Sequence, residues 1–223
     1  MPQRTPGKSV RLAHFRDDLI VLDLTENRFS LIPNIPVERI NSFLASAGST
    51  DATLSAALSQ HGITNDKLPL STVLSSLENT GLLETRWRTP FTPSVRYSFP
   101  LLCRSIWALT MAGLMIKSGG YALVVKALRR NSQNTNVTAI GSVGTDEIMA
   151  HINKVFLFDV SNNRCLTYSL TLCLIARRMG LPAKLIVGVR TRPFFSHAWV
   201  ELNGVIINDD PELREKLSII LET

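Results

Sequence analysis

A helix followed by three strands, within residues 159–210, is the pattern that most restricts how this chain can fold. An apolar stripe at helical spacing ends at Gly180-Leu181-Pro182, where glycine and proline stop a helix. Asn203-Gly204 is the strongest two-residue hairpin signal, so the strands on either side of it should pair. The predicted elements are a helix over 165–179, a strand over 183–189, a strand from His197 to Glu201 and a returning strand over 205–207. Together they predict a mixed α+β fold.

The same segment carries residue types that together perform nucleophilic catalysis. Cys165 begins the predicted helix, where unpaired backbone N–H groups and the helix dipole favour a thiolate and can stabilise an oxyanion. His197 lies on a following strand as a candidate base, and a carboxylate after the hairpin would orient its ring. Cys173, by contrast, lies deep in the apolar stripe and is expected only to pack. The order predicts a cysteine-histidine-carboxylate triad.

Two adjacent carboxylates, Asp209 and Asp210, are candidates for the third member of this triad. With an ideal two-residue turn at Asn203-Gly204, His197 faces Asp210. A bulge or a three-residue loop would shift the pairing by one residue and bring Asp209 opposite the histidine. The simple register therefore favours Asp210 and leaves Asp209 open.

The first part of the chain, up to about residue 86, has a different texture. Its predicted elements are strands over 10–15, 19–24 and 28–32, and helices over 37–46, 53–61 and 70–81. In the last helix, apolar residues recur at helical spacing and Gly81 occupies a C-cap position; these residues are Leu70, Val73, Leu74 and Leu77. Three strands followed by three short helices predict a winged-helix-like unit.

The middle of the chain has the pattern of a linker followed by apolar helices. Residues 86–100 hold three prolines and few aliphatic side chains, which is typical of a linker. Helices are predicted over 101–117, 121–130 and 146–158. The most apolar run, 101–116, contains Arg104 and is short for a membrane span, so a buried helix is expected.

Charge and cysteine content limit the expected partners and compartment. The net charge is +6, but residues 1–90 hold nine basic and nine acidic side chains, so the surplus is scattered after residue 90. A neutral winged-helix-like unit argues against a DNA regulator, because phosphate contacts need basic side chains. Three cysteines without a CxxC spacing predict neither a disulfide framework nor a zinc site. The N-terminus lacks the apolar core of a signal peptide, so we expect a cytoplasmic protein without metal, membrane or nucleic-acid partners.

As a set, the motifs of the second part resemble the lasso-peptide maturation protease, the transglutaminase-like protein of lasso-peptide gene clusters. The matching segments are Cys165-Leu166-Thr167-Tyr168-Ser169-Leu170, Arg177-Arg178-Met179-Gly180, Gly188-Val189-Arg190 and His197-Ala198-Trp199-Val200-Glu201. The thirty-two residues from Cys165 to His197 and the twelve from His197 to Asp209 match that family's catalytic spacing, so the resemblance favours Asp209. The similarity covers about residues 145–215 and implies a papain-like cysteine protease domain that uses neither metal nor cofactor.

The first part is similar to the PqqD-like recognition element, which binds the leader of ribosomally made precursor peptides. In that family the leader adds as a strand to the third strand and packs against the third helix. The resemblance implies leader contacts at Phe29, Leu31, Leu74 and Leu77. It also implies a recognition element over 1–86, a linker over 87–99 and a protease domain over 100–223.

The two resemblances imply a leader peptidase that hydrolyses the bond between the leader and the core of a lasso-peptide precursor. They further imply a threonine near the end of the leader, and an ATP-dependent, asparagine-synthetase-like cyclase as the partner that uses the new amino group. Two alternatives keep the same residues: an acyltransferase or transglutaminase with this triad, and a leader-binding scaffold whose triad is vestigial. For a second oxyanion donor, Asn162 and Asn163 are guesses without a spacing rule.

Overall fold

The computed structural model describes residues 9–46, 51–64, 67–69, 73–77, 87–93, 95, 98–132, 144–157, 159 and 163–223. Its elements are β1 (Val10–Phe15), β2 (Asp18–Asp23), β3 (Arg28–Ile32), α1 (Val37–Ala45), α2 (Ala52–Gln60), β4 (Ser76–Leu77), α3 (Phe99–Ser132), α4 (Thr145–Phe156), α5 (Arg164–Arg178), β5 (Ala183–Arg190), β6 (Phe195–Leu202), β7 (Val205–Ile206), α6 (Leu213–Lys216) and β8 (Ser218–Glu222). A front sheet has the strand order β3-β2-β1-β4, and a rear sheet has the order β7-β6-β5-β8. The predicted mixed α+β class is confirmed at this level.

Both faces of the front sheet are buried, because β1 and β2 are buried at nearly every position. Successive side chains of a strand point to opposite faces of its sheet. One face packs on α1 and α2 through residues that include Leu12 and Val21. The other face, which includes Ala13, Phe15 and Ile20, belongs to the same hydrophobic core as α3, α4, α5 and β5. A continuous core therefore joins the two predicted domains.

The predicted third helix over 70–81 is wrong where the structure describes it. Residues 73–75 are irregular, and Ser76–Leu77 form β4, which pairs parallel to β1. The side-chain amide of Asn41 donates to the carbonyl of Leu74 at 2.9 Å and accepts from its N–H at 2.8 Å, which satisfies this backbone without a helix. Val73 is 84% exposed, so the helical spacing does not mark a buried stripe. Residues 70–72 and 78–81 lie outside the described part of the chain, and the winged-helix detail is not confirmed.

The helices predicted over 101–117 and 121–130 are both present within α3, and they are separated by a kink at Gly120. Gly120 has φ 50° and ψ −144°, and a Cβ at this position would collide with the side chain of Asn27. The N–H of Tyr121 donates to Oδ1 of Asn27 at 3.2 Å. The kink is therefore fixed to the turn between β2 and β3.

One face of α3 is buried and the other is exposed. The buried side includes Ala108 and Ala112, and the helix packs along α4 and α5. Ile106, Trp107 and Leu114 are exposed, so the expected burial is confirmed for one face only. Among the described helices, α3 has the length and apolar composition of a membrane span, which is weak evidence because core helices share both properties.

The rear sheet has the predicted helix-strand-hairpin order. β5 and β6 pair antiparallel with Gly188 opposite His197, and α5 packs against both strands. Asn203 and Gly204 have φ of 50° and 82°, as a type I′ turn requires. β8, for which the sequence pattern makes no prediction, pairs with β5 on its other side. His197 therefore lies on β6, an interior strand of the rear sheet, and pairs with β5.

Candidate active site

Cys165 is the second residue of α5, in the first turn of the helix as predicted. Its side chain is partly exposed, whereas Cys173 is buried and its thiol donates to the carbonyl of Ala183. Burial raises the pKa of the Cys173 thiol to about 11, in keeping with a packing role. The side chain of Asn163 makes no capping hydrogen bond in the described structure, so it does not occupy the first N–H groups of α5. Asn162 lies outside the described residues.

His197 is almost completely buried, and its two ring nitrogens have different surroundings. The imidazole stacks between the rings of Phe195 and Trp199, at centroid distances of 5.8 and 6.4 Å. Its Nε2 is hydrogen-bonded to Oδ2 of Asp209 at 2.8 Å. Nδ1 has no aligned hydrogen-bond partner in the described chain, although the thiol of Cys165 is close enough to act on the ring. Nδ1 is thus the ring nitrogen on the side of Cys165. Hydrogen bonds between catalytic groups often become aligned only when substrate binds.

The charge of His197 is set by burial and by two neighbours. Burial lowers the pKa of His197, but hydrogen bonds and charges from Asp209 and Cys165 outweigh it and raise the pKa to about 9. At neutral pH the ring is therefore protonated. Its proton is then available to a group that accepts one during catalysis.

Asp209 reaches His197 because the ladder beside β6 ends early. The N–H of Ile207 still donates to the carbonyl of Val200 at 3.1 Å, as the ideal hairpin register requires. The N–H of Val200, however, donates to Oδ1 of Asn208 at 2.7 Å, in place of a backbone carbonyl. The returning chain leaves the ladder at this side chain, and the next residue contacts the histidine. Neither the bulge nor the longer loop considered from the sequence occurs.

Asp210, which the simple register favoured, contacts α6. Its carboxylate accepts from Nζ of Lys216 at 2.7 Å and from the N–H of Glu212 at 2.9 Å. The ammonium of Lys216 lowers the pKa of Asp210. The two neighbouring carboxylates are therefore committed to different partners.

Asn208 also connects this end of the sheet to the helix that carries Cys165. Its Nδ2 donates to Oγ of Ser169 at 3.0 Å, and the Ser169 hydroxyl donates to the carbonyl of Ala198 at 2.9 Å. Ser169 lies one helical turn after Cys165, and the side chains of Ser169 and Asn208 are both buried. The sequence analysis missed this connection, for which a serine within the apolar stripe of α5 is the only signal. The hydrogen bonds join α5, β6 and the residue before Asp209.

Glu201, the last residue of the His-Ala-Trp-Val-Glu motif, supports the histidine indirectly. Its buried carboxylate accepts from Nε1 of Trp199 at 2.8 Å and from the guanidinium of Arg214 at 2.7 and 2.8 Å. A buried charge is stable only when it is paired and hydrogen-bonded. The carboxylate therefore fixes the indole on which the ring of His197 stacks.

The four predicted leader contacts do not form one surface. Leu31 lies on β3 and is 39% exposed, and Phe29 is near the start of the same strand. Leu77 is on β4, at the opposite edge of the front sheet, and Leu74 is buried in the core beside α1 and α2. Of these positions, only those on β3 lie at the edge to which a leader strand is expected to add.

A cavity of about 420 Å³ lies beside His197 and Asp209, and the sequence analysis did not predict it. One wall is formed by residues 87–91, and the other by the chain between 207 and 213. The prolines of the predicted linker indicate irregular structure but not where the segment lies. Trp87 packs against the rings of Phe156 and Tyr168, at 5.5 and 5.4 Å, which places this segment on the rear core.

Comparison with known proteins identifies a family and a relative of this chain. A family model for the transglutaminase-like superfamily matches residues 106–222. The microcin J25-processing protein McjB of Escherichia coli is 29% identical over 217 residues, which cover 95% of this chain and 97% of that protein. These matches confirm the resemblance to lasso-peptide maturation proteases. No solved structure matches the chain.

Proposed function

The chain belongs to the transglutaminase-like superfamily, and from this premise we propose that it hydrolyses the leader–core bond of a ribosomally made lasso-peptide precursor. The observation that carries the proposal is the hydrogen bond between His197 and Asp209 beside the thiol of Cys165. Similarity to a microcin-processing protein over nearly the whole chain supports a role in peptide maturation.

In the proposed reaction, His197 holds the proton taken from the thiol of Cys165, the thiolate attacks the scissile carbonyl, and the leader becomes bound as a thioester. The first N–H groups of α5 stabilise the oxyanion that forms. His197 is protonated at neutral pH and gives its proton to the departing amine of the core. A water molecule, deprotonated by the same ring, then hydrolyses the thioester and restores the enzyme.

Leader capture by the front sheet is the second part of the proposal. The edge strand β3 binds the leader by strand addition. Binding there raises the concentration of the scissile bond near Cys165, so the protease site itself can bind peptide weakly. The core leaves with a free amino group, which an ATP-dependent cyclase can use to close a ring. We place these steps in the cytoplasm.

Mass spectrometry of a candidate lasso-peptide precursor, after incubation with the purified protein, tests the proposal. We expect a leader fragment with a free carboxyl end and a core with a free amino end. Cys165→Ala should abolish cleavage and retain leader binding, whereas Cys103→Ala, which removes an exposed thiol elsewhere, should cleave normally. Cleavage by Cys165→Ala would contradict the proposal, and an adduct with added amines would indicate acyl transfer instead.

A further inference from the structure

Three aromatic side chains, one each from β3, α3 and the turn before β6, meet between the front sheet and the active site. Phe29 comes from β3, Tyr121 follows the kink of α3, and Phe194 precedes β6. The ring of Phe29 contacts the ring of Tyr121 edge-on at 5.9 Å and the ring of Phe194 at 5.4 Å. We call these three residues the junction cluster.

The junction cluster has a fixed geometry, because each side of it is anchored. The backbone of Tyr121 is held by Asn27 at the kink. The turn before Phe194 is held by Arg192, whose guanidinium donates to both carboxylate oxygens of the buried Asp18 at 3.1 and 3.2 Å. The cluster is therefore a built surface and not a chance contact of mobile loops.

On one side the junction cluster adjoins the nucleophile and its base. The pKa of Tyr121 is raised by burial and by the charge of Cys165, so the phenol lies within electrostatic reach of the sulfur. Phe195, the neighbour of Phe194, stacks on the ring of His197. A peptide that lies on the cluster is thus next to the reacting atoms.

On the other side the cluster adjoins the edge to which a peptide can add. β3 is an edge strand of the front sheet in the described structure, and Phe29 lies near its first residue. Phe194 is 45% exposed, which is unusual for an aromatic side chain whose only role is core packing. An exposed aromatic surface of this kind can bind an apolar side chain.

We propose that the junction cluster guides the precursor from β3 to Cys165 and binds one apolar or aromatic side chain between the leader-binding segment and the scissile bond. This inference rests on the proposed function and adds a determinant of specificity to it. The cluster selects by the shape and apolar character of one residue, while β3 selects the leader. A polar residue at that position of the precursor is cleaved poorly, although its leader binds.

Phe194→Ala is the main test, because this side chain is exposed enough to remove without disturbing the core. We expect kcat/KM for the full precursor to fall about tenfold or more. The affinity for a leader-only peptide and the rate of Cys165 alkylation by iodoacetamide should not change. Val205→Ala, which truncates an exposed apolar residue on β7, is the matched control and should cleave normally.

A double-mutant cycle identifies the precursor residue that the cluster binds. One alanine substitution in the precursor, before the scissile bond, should lose its effect in the Phe194→Ala protein. Unchanged kcat/KM in Phe194→Ala, equal losses in Val205→Ala, or additive effects at every precursor position would overturn the inference. If Cys165→Ala cleaves the precursor as the wild type does, the proposed function fails instead. Binding measurements alone then test the cluster. The full precursor should bind more tightly than a leader-only peptide to the wild type, but not to Phe194→Ala.

Discussion

Replacing Asp209 with asparagine should lower the pKa of His197 from about 9 towards its ordinary value of 6.5. Burial acts to lower this pKa, and the contacts with Asp209 and Cys165 overcome it. The net increase corresponds to about 3 kcal/mol, so loss of one of the two partners should lower the pKa by at least about one unit. At pH 8, about half of the molecules or more would then lack the proton that the departing amine needs.

NMR titration of the histidine rings measures this pKa, with the His197 signals assigned by their loss in His197→Gln. The basic limb of the pH dependence of kcat/KM is a second measure, because it reports the protonated ring. Asp210→Asn is the matched control, since it removes the neighbouring carboxylate that binds Lys216. It should leave the titration of His197 unchanged.

Equal shifts in the two variants would refute this reasoning. They would mean that the pKa of His197 responds to the general negative charge of the segment and not to the hydrogen bond from Asp209. A shift in Asp210→Asn alone would mean that the ladder continues past Asn208 in solution, as the simple register predicts.

Three further predictions concern stability and register. The folded-state pKa of His197 exceeds its unfolded value. About 3 kcal/mol of the free energy of unfolding should therefore be present below pH 6.5 and lost as the pH rises to about 9. Urea denaturation at a series of pH values should show this loss, and the loss should be smaller in Asp209→Asn. Asn208→Val should let the ladder continue and lower kcat/KM at least about tenfold with a lower basic limb, and an unchanged pH profile would contradict the role of this side chain. Gly120→Ala should destabilise the protein by more than about 1 kcal/mol, whereas Gly113→Ala, at an open helical position, should not. Equal urea midpoints for these two variants would contradict the requirement for glycine at the kink.

The candidate nucleophile and base could be located from the sequence because their signals are local. The apolar stripe that follows Cys165 and the Asn203-Gly204 turn each specify one element, and the structure has both where they were predicted. The choice between Asp209 and Asp210 was not local. It depends on the bond from Val200 to the side chain of Asn208, which in turn is held by a helix almost forty residues earlier. Hairpin register contains no information about that contact.

The wrong helix over 70–81 has the opposite cause, a local signal that a distant contact overrides. Helical spacing of leucines predicts a helix only if the stripe has a surface to cover. Here Leu74 enters a core already formed with α1 and α2, Asn41 satisfies its backbone, and Ser76–Leu77 complete the front sheet beside β1. The helical spacing of the leucines contains no information about this strand pairing, so it could not predict that Ser76–Leu77 form the fourth strand of the front sheet.

The fixed junction between the sheets changes how tethering would work in this protein. With a flexible linker, a captured leader raises the local concentration of the scissile bond over a broad volume. Here the second face of β1 and β2 is buried in the rear core, and the hydroxyl of Ser218 donates to the carbonyl of His14 at 2.6 Å across the junction. The path from β3 to Cys165 consequently has one length. Under the proposed function, the number of residues between the bound leader segment and the scissile bond then selects the site, and the protease pocket needs little sequence preference of its own.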